Sequence, residues 1–88
     1  MKENWFLYIL ECKDKSLYTG ITKDLEERIK KHTSGIGAKY TKNRGPFKLV
    51  YKYKYNNKTD ALKREFQIKK LTRLKKLELI KNFCYKNY

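Results

Sequence analysis

Arg28 and His32 are the first residues in this sequence whose types and spacing could do chemistry. Four residues apart on a helix, they would project from one face, one turn from each other. An arginine offers a planar fork of donors that suits phosphate oxygens, and a histidine with a pKa of about 6.5 exchanges protons near neutral pH. The pair could therefore grip one phosphate. For the pair alone a structural interpretation is favoured, in which Arg28 bonds a surface glutamate and His32 packs at the helix end.

Glu65 is the next candidate because it falls among the apolar residues of a predicted helix. It lies four residues after Ala61 and three after Leu62, and a carboxylate aimed at a core is costly unless it has a partner. One alternative is a buried salt bridge, for example to Arg28 or Arg64. The other is a ligand for a hard divalent cation, since Mg²⁺ is typically held by one or two carboxylates plus water and phosphate oxygens. From the residues alone the two alternatives are equal.

Tyr8 and Tyr18 stand out among the eight tyrosines for their location. They lie on two predicted adjacent strands, so their hydroxyls can converge if the hairpin register places them on one face. A phenol with a pKa near 10 would need a metal-bound water or nearby cations to act as a general base, and alone both tyrosines are interpreted as structural. Gly20, inside the second strand, indicates either a β-bulge or a place where a ligand's backbone comes close.

The elements that must position these residues follow from the spacing of apolar residues and from helix caps. Short aromatic and β-branched runs predict strands, and apolar residues three or four apart predict helices. The predicted strands are residues 5–10, 17–22 and 47–55, and the predicted helices are residues 24–34, 59–71 and a last helix after 72. The predicted N-caps of the three helices are, in order, Asp24 or Thr22, Thr59, and Thr72. Alternation in the third strand predicts one apolar and one lysine-bearing face.

The order β-β-α-β-α-α predicts an α+β fold in which a three-stranded antiparallel sheet is flanked by helices. A chain of 88 residues has room for one domain, over residues 1–88. Cys12 and Cys84 are too far apart for a CxxC-type metal site and too few for a disulfide framework, which favours a reducing, cytoplasmic setting. The apolar run at residues 5–10 is far short of the roughly 20 residues that span a bilayer, so no membrane role is expected.

The charge of the chain is strongly positive. Lys and Arg number 23 against 9 Asp and Glu, a net charge of +14, and such a field attracts phosphate polymers. Most of the basic residues are lysine, which AT-rich coding could also produce, but no carboxylate lies between Glu27 and Asp60. The predicted substrate-binding cations of that stretch are Lys39, Lys42 and Arg44 in a glycine-rich loop and Lys48 in the third strand.

Taken in order, the candidate residues resemble the signature of the GIY-YIG endonuclease family. The motifs that carry the resemblance are Leu7-Tyr8-Ile9, Tyr18-Thr19-Gly20, Arg28, His32 and Glu65. Further motifs resemble the branch that contains small stand-alone bacterial proteins and the nuclease domain of flap and junction endonucleases: Gly37-Ala38, Thr41, residues 44–47 and Ala61-Leu62. The match covers about residues 5–72. It departs from the family pattern at Leu7, at Thr19 and at Leu77, where many members carry an asparagine, unless Asn82 substitutes.

This resemblance implies a metal-dependent endonuclease that hydrolyses phosphodiester bonds in DNA, including branched DNA, with little sequence specificity. The resemblance implies that Tyr8 is the general base or a hydrogen-bond partner of the attacking water, that Tyr18 lies beside the scissile phosphate, and that Gly20 lies where the substrate comes close. It implies that Arg28 stabilises charge on the phosphate and that His32 assists proton transfer or orients water. Glu65 is the implied ligand of one Mg²⁺ or Mn²⁺. Whether Tyr8 or His32 is the general base stays open.

Two other functions are compatible with the residues. A non-catalytic nucleic-acid-binding module would use the basic loop and the lysine-bearing strand for phosphate contact, and an adaptor bound to a protein partner would owe its charge to genome bias. Neither requires the complete set of tyrosines, arginine, histidine and glutamate, which favours the enzyme. No small-molecule cofactor is expected; RNA as a substrate and the oligomeric state stay open.

Overall fold

The computed structural model describes residues 4–34 and 45–86, which form three strands and three helices. In chain order the elements are β1 (Trp5–Glu11), β2 (Leu17–Thr22), α1 (Leu25–Thr33), β3 (Lys48–Tyr55), α2 (Lys58–Lys69) and α3 (Arg73–Lys86). The order β-β-α-β-α-α and the α+β class are as predicted. Among the described residues, none of the helices is long and apolar enough to cross a membrane.

Strand β1 is the centre of the sheet, and both of its neighbours run antiparallel to it in the order β2-β1-β3. Its central residues are all buried, because each side of the strand is covered by other elements. The β1–β2 register is continuous and places Tyr8 opposite Gly20 and Leu10 opposite Tyr18. The prediction of a central strand followed by an antiparallel hairpin is confirmed.

Strand β3 departs from the predicted alternation because it contains a bulge. Ile9 pairs with Tyr51 and Leu10 with Leu49, so Val50 has no partner of its own across the ladder. Val50 and Tyr51 are consequently both buried, whereas Tyr53 is 54% exposed. Leu49 pairs with Leu10 and Tyr51 pairs with Ile9, so these two predicted members of one apolar face lie on opposite faces of the sheet, and the predicted single apolar face is wrong at the bulge. The bulge lies in β3, and the bulge interpretation of Gly20 is also wrong.

The helix caps agree with the predictions at two of three positions. Asp24, not Thr22, caps α1, since its side chain accepts a hydrogen bond of 3.1 Å from the Glu27 amide. Thr72 accepts a bond of 3.3 Å from the Lys75 amide at the start of α3. Helix α2 begins one residue earlier than predicted and is capped by Asn57 instead of Thr59. The Asn57 side chain reaches the Asp60 amide at 2.8 Å.

The apolar core lies on the side of the sheet that α2 and α3 cover. Leu7, Ile9, Val50, Tyr51 and Ile68 form its buried cluster, and successive residues of a strand point to opposite faces. Tyr8, between Leu7 and Ile9, therefore points to the other face, where His32 of α1 meets it. One strand thus supplies an apolar face to the α2–α3 side and a polar buried group to the α1 side.

Candidate active site

Three aromatic rings meet on the α1 side of the sheet. Because Tyr8 pairs with Gly20 and Tyr18 with Leu10, the two tyrosines are diagonal neighbours on one face. Their ring centroids are 6.2 Å apart, and the His32 ring lies 5.1 Å from Tyr18 and 5.9 Å from Tyr8. The Tyr8 hydroxyl shares a hydrogen bond of 2.9 Å with His32 Nε2. The β1–β2 register thus meets the requirement stated from the sequence, that Tyr8 and Tyr18 share one face. His32 of α1 joins them there.

Gly20 leaves the space that this cluster needs. A Cβ atom built on Gly20 would lie 2.7 Å from the Tyr8 hydroxyl oxygen and 3.2 Å from Cε1 of Tyr18. The group that approaches the Gly20 backbone closely is therefore the ring of Tyr8. A contact between Gly20 and substrate remains a prediction.

Burial keeps the hydrogen-bonded pair neutral. The side chains of Tyr8 and His32 are each 1% exposed. Burial raises the pKa of Tyr8, with further contributions from Tyr18 and Glu65 that outweigh the opposing charge of Arg28. Burial also lowers the pKa of His32 below 6.5, assisted by Arg28. At neutral pH the pair is therefore a phenol and an uncharged imidazole.

Arg28 lies one helical turn before His32 and is half-buried. Its guanidinium is near enough to act on the pKa of both Tyr8 and His32. The surface glutamate next to it in the sequence, Glu27, lies 3.6 Å from Lys31 Nζ. Arg28 also lines a cleft of about 270 Å³ beside Trp5 and Thr22.

Glu65 lies in the middle of α2 with 18% of its side chain exposed. Its carboxylate is 3.5 Å from Lys69 Nζ, so the partners suggested from the sequence, Arg28 and Arg64, are replaced by the lysine one turn along. Arg64 instead donates to the Gln67 side chain at 3.1 Å. The charge of Glu65 contributes to the raised pKa of Tyr8, which places the carboxylate within electrostatic reach of the ring cluster.

The donor set of this site fits a single-carboxylate cation site. Among the side chains that the structure describes, no group of three or more His, Cys, Asp or Glu could hold a metal ion. Mg²⁺ commonly keeps several waters and takes one or two carboxylates plus substrate phosphates. The partly exposed carboxylate of Glu65 fits that pattern, with water and phosphate oxygens as the remaining ligands.

Tyr18 opens onto a cleft that sequence analysis missed. The cleft has a volume of about 420 Å³ and is lined by Leu17, Tyr18, Thr19, Lys69 and Lys76. Tyr18 is half-buried, so of the three rings it is the one that borders this opening. The spacing of Glu65 and Lys69 could have indicated their pairing, but the approach of Lys76 to β2 depends on how α3 docks.

Of the four predicted substrate-binding cations, the structure describes Lys48. Lys39, Lys42 and Arg44 lie outside the described residues. Lys48 is exposed at the start of β3 and lines a separate cleft of about 280 Å³ with Pro46 and Phe47. Phe47 in turn packs against His32, with ring centroids 6.1 Å apart. Asn82, the possible substitute for the family's asparagine, is exposed on α3.

The fold and the ring cluster define a small α+β domain built around paired tyrosines. A family model described as the GIY-YIG catalytic domain matches residues 4–78. The chain belongs to the GIY-YIG family, which makes nuclease action on a nucleic acid the indicated class of function.

Within this family the chain is similar to small bacterial proteins named UPF0213. It is 58% identical over 85 residues to the UPF0213 protein of Clostridium perfringens, covering 94% of this chain and 91% of that one. The solution NMR structure of the UPF0213 protein from Bacillus halodurans is 52% identical, with a TM-score of 0.60 over 89% of this chain and 83% of that one. A protein structure from E. faecalis, 36% identical, gives a TM-score of 0.65 over 97% and 93% of the two chains.

Proposed function

We propose that this protein is an endonuclease that hydrolyses phosphodiester bonds in DNA with the help of one divalent cation. The observation that carries the proposal is the buried hydrogen bond of 2.9 Å between Tyr8 and His32, placed beside a tyrosine that borders a lysine-lined cleft. A core needs no such pair for packing, whereas hydrolysis needs a group that removes a proton from water.

In the proposed mechanism His32 is the final proton acceptor and Tyr8 is the relay. The raised pKa of Tyr8 disfavours a free phenolate, and the lowered pKa of His32 leaves its imidazole uncharged at neutral pH. As Tyr8 passes its proton to His32, its oxygen takes the proton of the attacking water. Water and substrate reach this pair from the side of Tyr18, which borders the cleft.

Arg28 and Glu65 complete the proposed site. Arg28 stabilises negative charge that develops on the phosphate, as a donor aimed at a transition-state oxygen does. Glu65 would hold one Mg²⁺ or Mn²⁺, which supplies positive charge near the leaving oxygen when bound. Lys69, paired with Glu65 at 3.5 Å, would then turn to the phosphates in the cleft.

DNA is the proposed substrate because the chain carries a net charge of +14, and phosphate contacts supply sequence-independent affinity. Branched as well as linear DNA is included. A domain of this size offers few side chains for reading base edges, so little sequence specificity is expected.

The experiment that tests this function is Glu65→Gln, measured for both cleavage and binding. Cleavage of plasmid and branched DNA in Mg²⁺ or Mn²⁺ should disappear, while DNA binding largely survives. Glu78→Gln is the matched control, because Glu78 is an exposed glutamate on α3, and it should cleave normally. Full-rate cleavage by Glu65→Gln would remove the metal-ligand assignment. Binding by the wild-type protein without metal-dependent nicking would instead identify a non-catalytic binding module.

A further inference from the structure

The cleft beside Tyr18 continues into a second cleft along β2. The second cleft, of about 210 Å³, is lined by Ser16, Leu17, Arg73 and Lys76. Leu17 and Lys76 line both clefts, so the two form one continuous depression between β2 and the region where α2 ends and α3 begins. We refer to this depression, lined by residues 16–19, Lys69, Arg73 and Lys76, as the β2–α3 groove.

The charged side chains that line the β2–α3 groove are all cations. They are Lys69, Arg73 and Lys76. The neighbouring carboxylates are Glu65, which pairs with Lys69, and Asp14, which accepts a hydrogen bond of 3.1 Å from the Ser16 amide at the other end of the groove. Arg73 is oriented by a hydrogen bond of 2.8 Å from its guanidinium to the Lys15 carbonyl oxygen. Since a guanidinium carries several further N–H donors, this bond positions the group and leaves donors for a second acceptor.

We propose that the β2–α3 groove holds the backbone of the nucleic-acid strand that leads away from the reacting phosphate. The inference rests on the proposed nuclease function, because it takes the end of the groove at Tyr18 as the end that lies beside the reacting phosphate. Arg73 and Lys76 are about one helical turn apart, roughly 5 Å along α3. A row of cations with this spacing suits a chain of phosphates better than one compact anion, and a concave groove suits a strand better than a flat membrane.

This surface differs from the lysine-bearing strand that the sequence suggested for a non-catalytic binding module. Lys52 and Lys54 on β3 are exposed, but neither lines the clefts that adjoin Tyr18. The sheet order separates them further, because β3 and β2 are the two opposite edges. A nucleic-acid strand that leaves the reacting phosphate beside Tyr18 would therefore reach the cations of the groove before the lysines of β3.

The test compares two variants that each lose two positive charges. Arg73→Gln with Lys76→Gln alters the groove, and Lys52→Gln with Lys54→Gln is the control with the same net charge. Both are combined with Glu65→Gln, and binding to a labelled oligonucleotide is measured by fluorescence anisotropy from about 50 to 300 mM salt. The groove variant should bind at least tenfold more weakly, and the slope of log affinity against log salt should fall by about two. The control should keep the parental slope.

Several results would overturn the inference. Equal salt slopes in the two variants, or a larger loss in the β3 variant, would place the strand elsewhere. Loss of binding to vesicles containing an anionic phospholipid, with DNA binding retained, would make the groove a membrane contact. Arg73→Gln alone, at an exposed position, should lower the slope by about one and guards against a folding defect in the double variant.

The failure of this inference can be told apart from the failure of the proposed function. If the protein nicks DNA but the groove and control variants bind alike, the enzyme stands and the strand path is wrong. If the protein never nicks DNA but the groove variant loses binding, the strand path stands and the catalytic proposal fails.

Discussion

The two faces of the sheet use the same strand for opposite purposes. On one face Leu7 and Ile9 are fully buried in an apolar cluster with Ile68. On the other face Tyr8 is buried just as deeply, yet it is hydrogen-bonded to His32. Burial alone therefore does not separate the structural face from the functional one. What separates them is the buried hydrogen bond between the phenol of Tyr8 and the imidazole of His32, since a tyrosine, Tyr51, is also buried on the apolar face.

The polar face satisfies its buried groups. Among the residues that the structure describes, no buried side-chain nitrogen or oxygen lacks a hydrogen-bond partner. An unsatisfied buried group costs about 1–3 kcal/mol, so the bond between Tyr8 and His32 is what makes a histidine with 1% exposure tolerable. Replacements on the apolar face should lower stability at every pH, whereas replacements on the polar face should lower activity or alter the pH dependence of stability.

The largest effect is expected on the apolar face, from Ile9→Ala. Ile9 is 0% exposed, and truncation of such a residue typically costs about 2–5 kcal/mol through lost transfer energy and the cavity that remains. Urea unfolding followed by circular dichroism measures the change. Leu62→Ala is the control, since Leu62 is 43% exposed, and it should change the free energy of unfolding by less than about 1 kcal/mol. Similar losses in both variants would contradict the assignment of the core.

Replacing one arginine on each face compares the two faces by their effect on DNA cleavage. Arg28 acts on the pKa of Tyr8 and His32, whereas Arg64 acts on Tyr51 and Tyr55 of the other face. Arg28→Ala should slow DNA cleavage on the order of 100-fold or more, as removal of one donor to a developing oxyanion does. Arg64→Ala should cleave within a fewfold of wild type. A single-turnover rate for Arg28→Ala close to that of Arg64→Ala would remove Arg28 from the site.

Gly20→Ala tests whether the polar face depends on the space above β2. Its Cβ atom would lie 2.7 Å from the Tyr8 hydroxyl oxygen, and Tyr8 is too buried to move freely. Overpacking of this kind costs about 1–3 kcal/mol, and displacement of the Tyr8 hydroxyl from His32 should lower the cleavage rate as well. At Gly45 a Cβ would meet Phe47 at 3.4 Å, an ordinary contact. Gly45→Ala should therefore leave both quantities nearly unchanged, and equal effects of the two variants would contradict the steric role of Gly20.

The sequence predicted the elements better than it predicted their partners. The order of strands and helices depends on local apolar spacing and capping, which is why the hairpin, Asp24 and Thr72 were predicted correctly. The bulge at Val50 was not, because the pattern of β3 alone suggests unbroken alternation and the extra residue is revealed only by pairing with β1. Asn57 and Thr59 are both good cap residues, and the choice between them turns on where the helix begins.

The site shows the same division between local and long-range information. Tyr8, Tyr18 and His32 could be proposed from strand pairing and helix position, and the structure brings them together. The partner of Glu65 is Lys69, one turn away on the same helix. Arg64 is adjacent on that helix, where neighbouring side chains do not face each other, and Arg28 would have to be brought there by packing. The β2–α3 groove could not be predicted, since Lys76 reaches β2 only through the docking of α3.

The smallest expected effect is the pH dependence of stability, and it isolates the polar face because His32 is the sole histidine of the chain. Its pKa is lowered from 6.5 in the folded protein, so the unfolded chain binds a proton at a higher pH than the folded one. The stability that the folded protein gains by keeping His32 neutral is complete above a pH of about 6.5. It is lost as the pH falls from there to the pKa of His32 in the folded protein.

Urea unfolding between pH 7.5 and about 5, where carboxylates begin to titrate, measures this loss. The wild-type protein should become less stable across the interval, and His32→Gln should show a flatter profile whatever its absolute stability. The control Ile9→Ala should be less stable at every pH yet keep the wild-type slope, since it alters only the apolar face. A His32→Gln profile parallel to wild type would mean that the imidazole is not held neutral by its surroundings. The pKa of the proton acceptor in the proposed relay would then be the same in the folded and the unfolded chain, and burial would not contribute to keeping it uncharged.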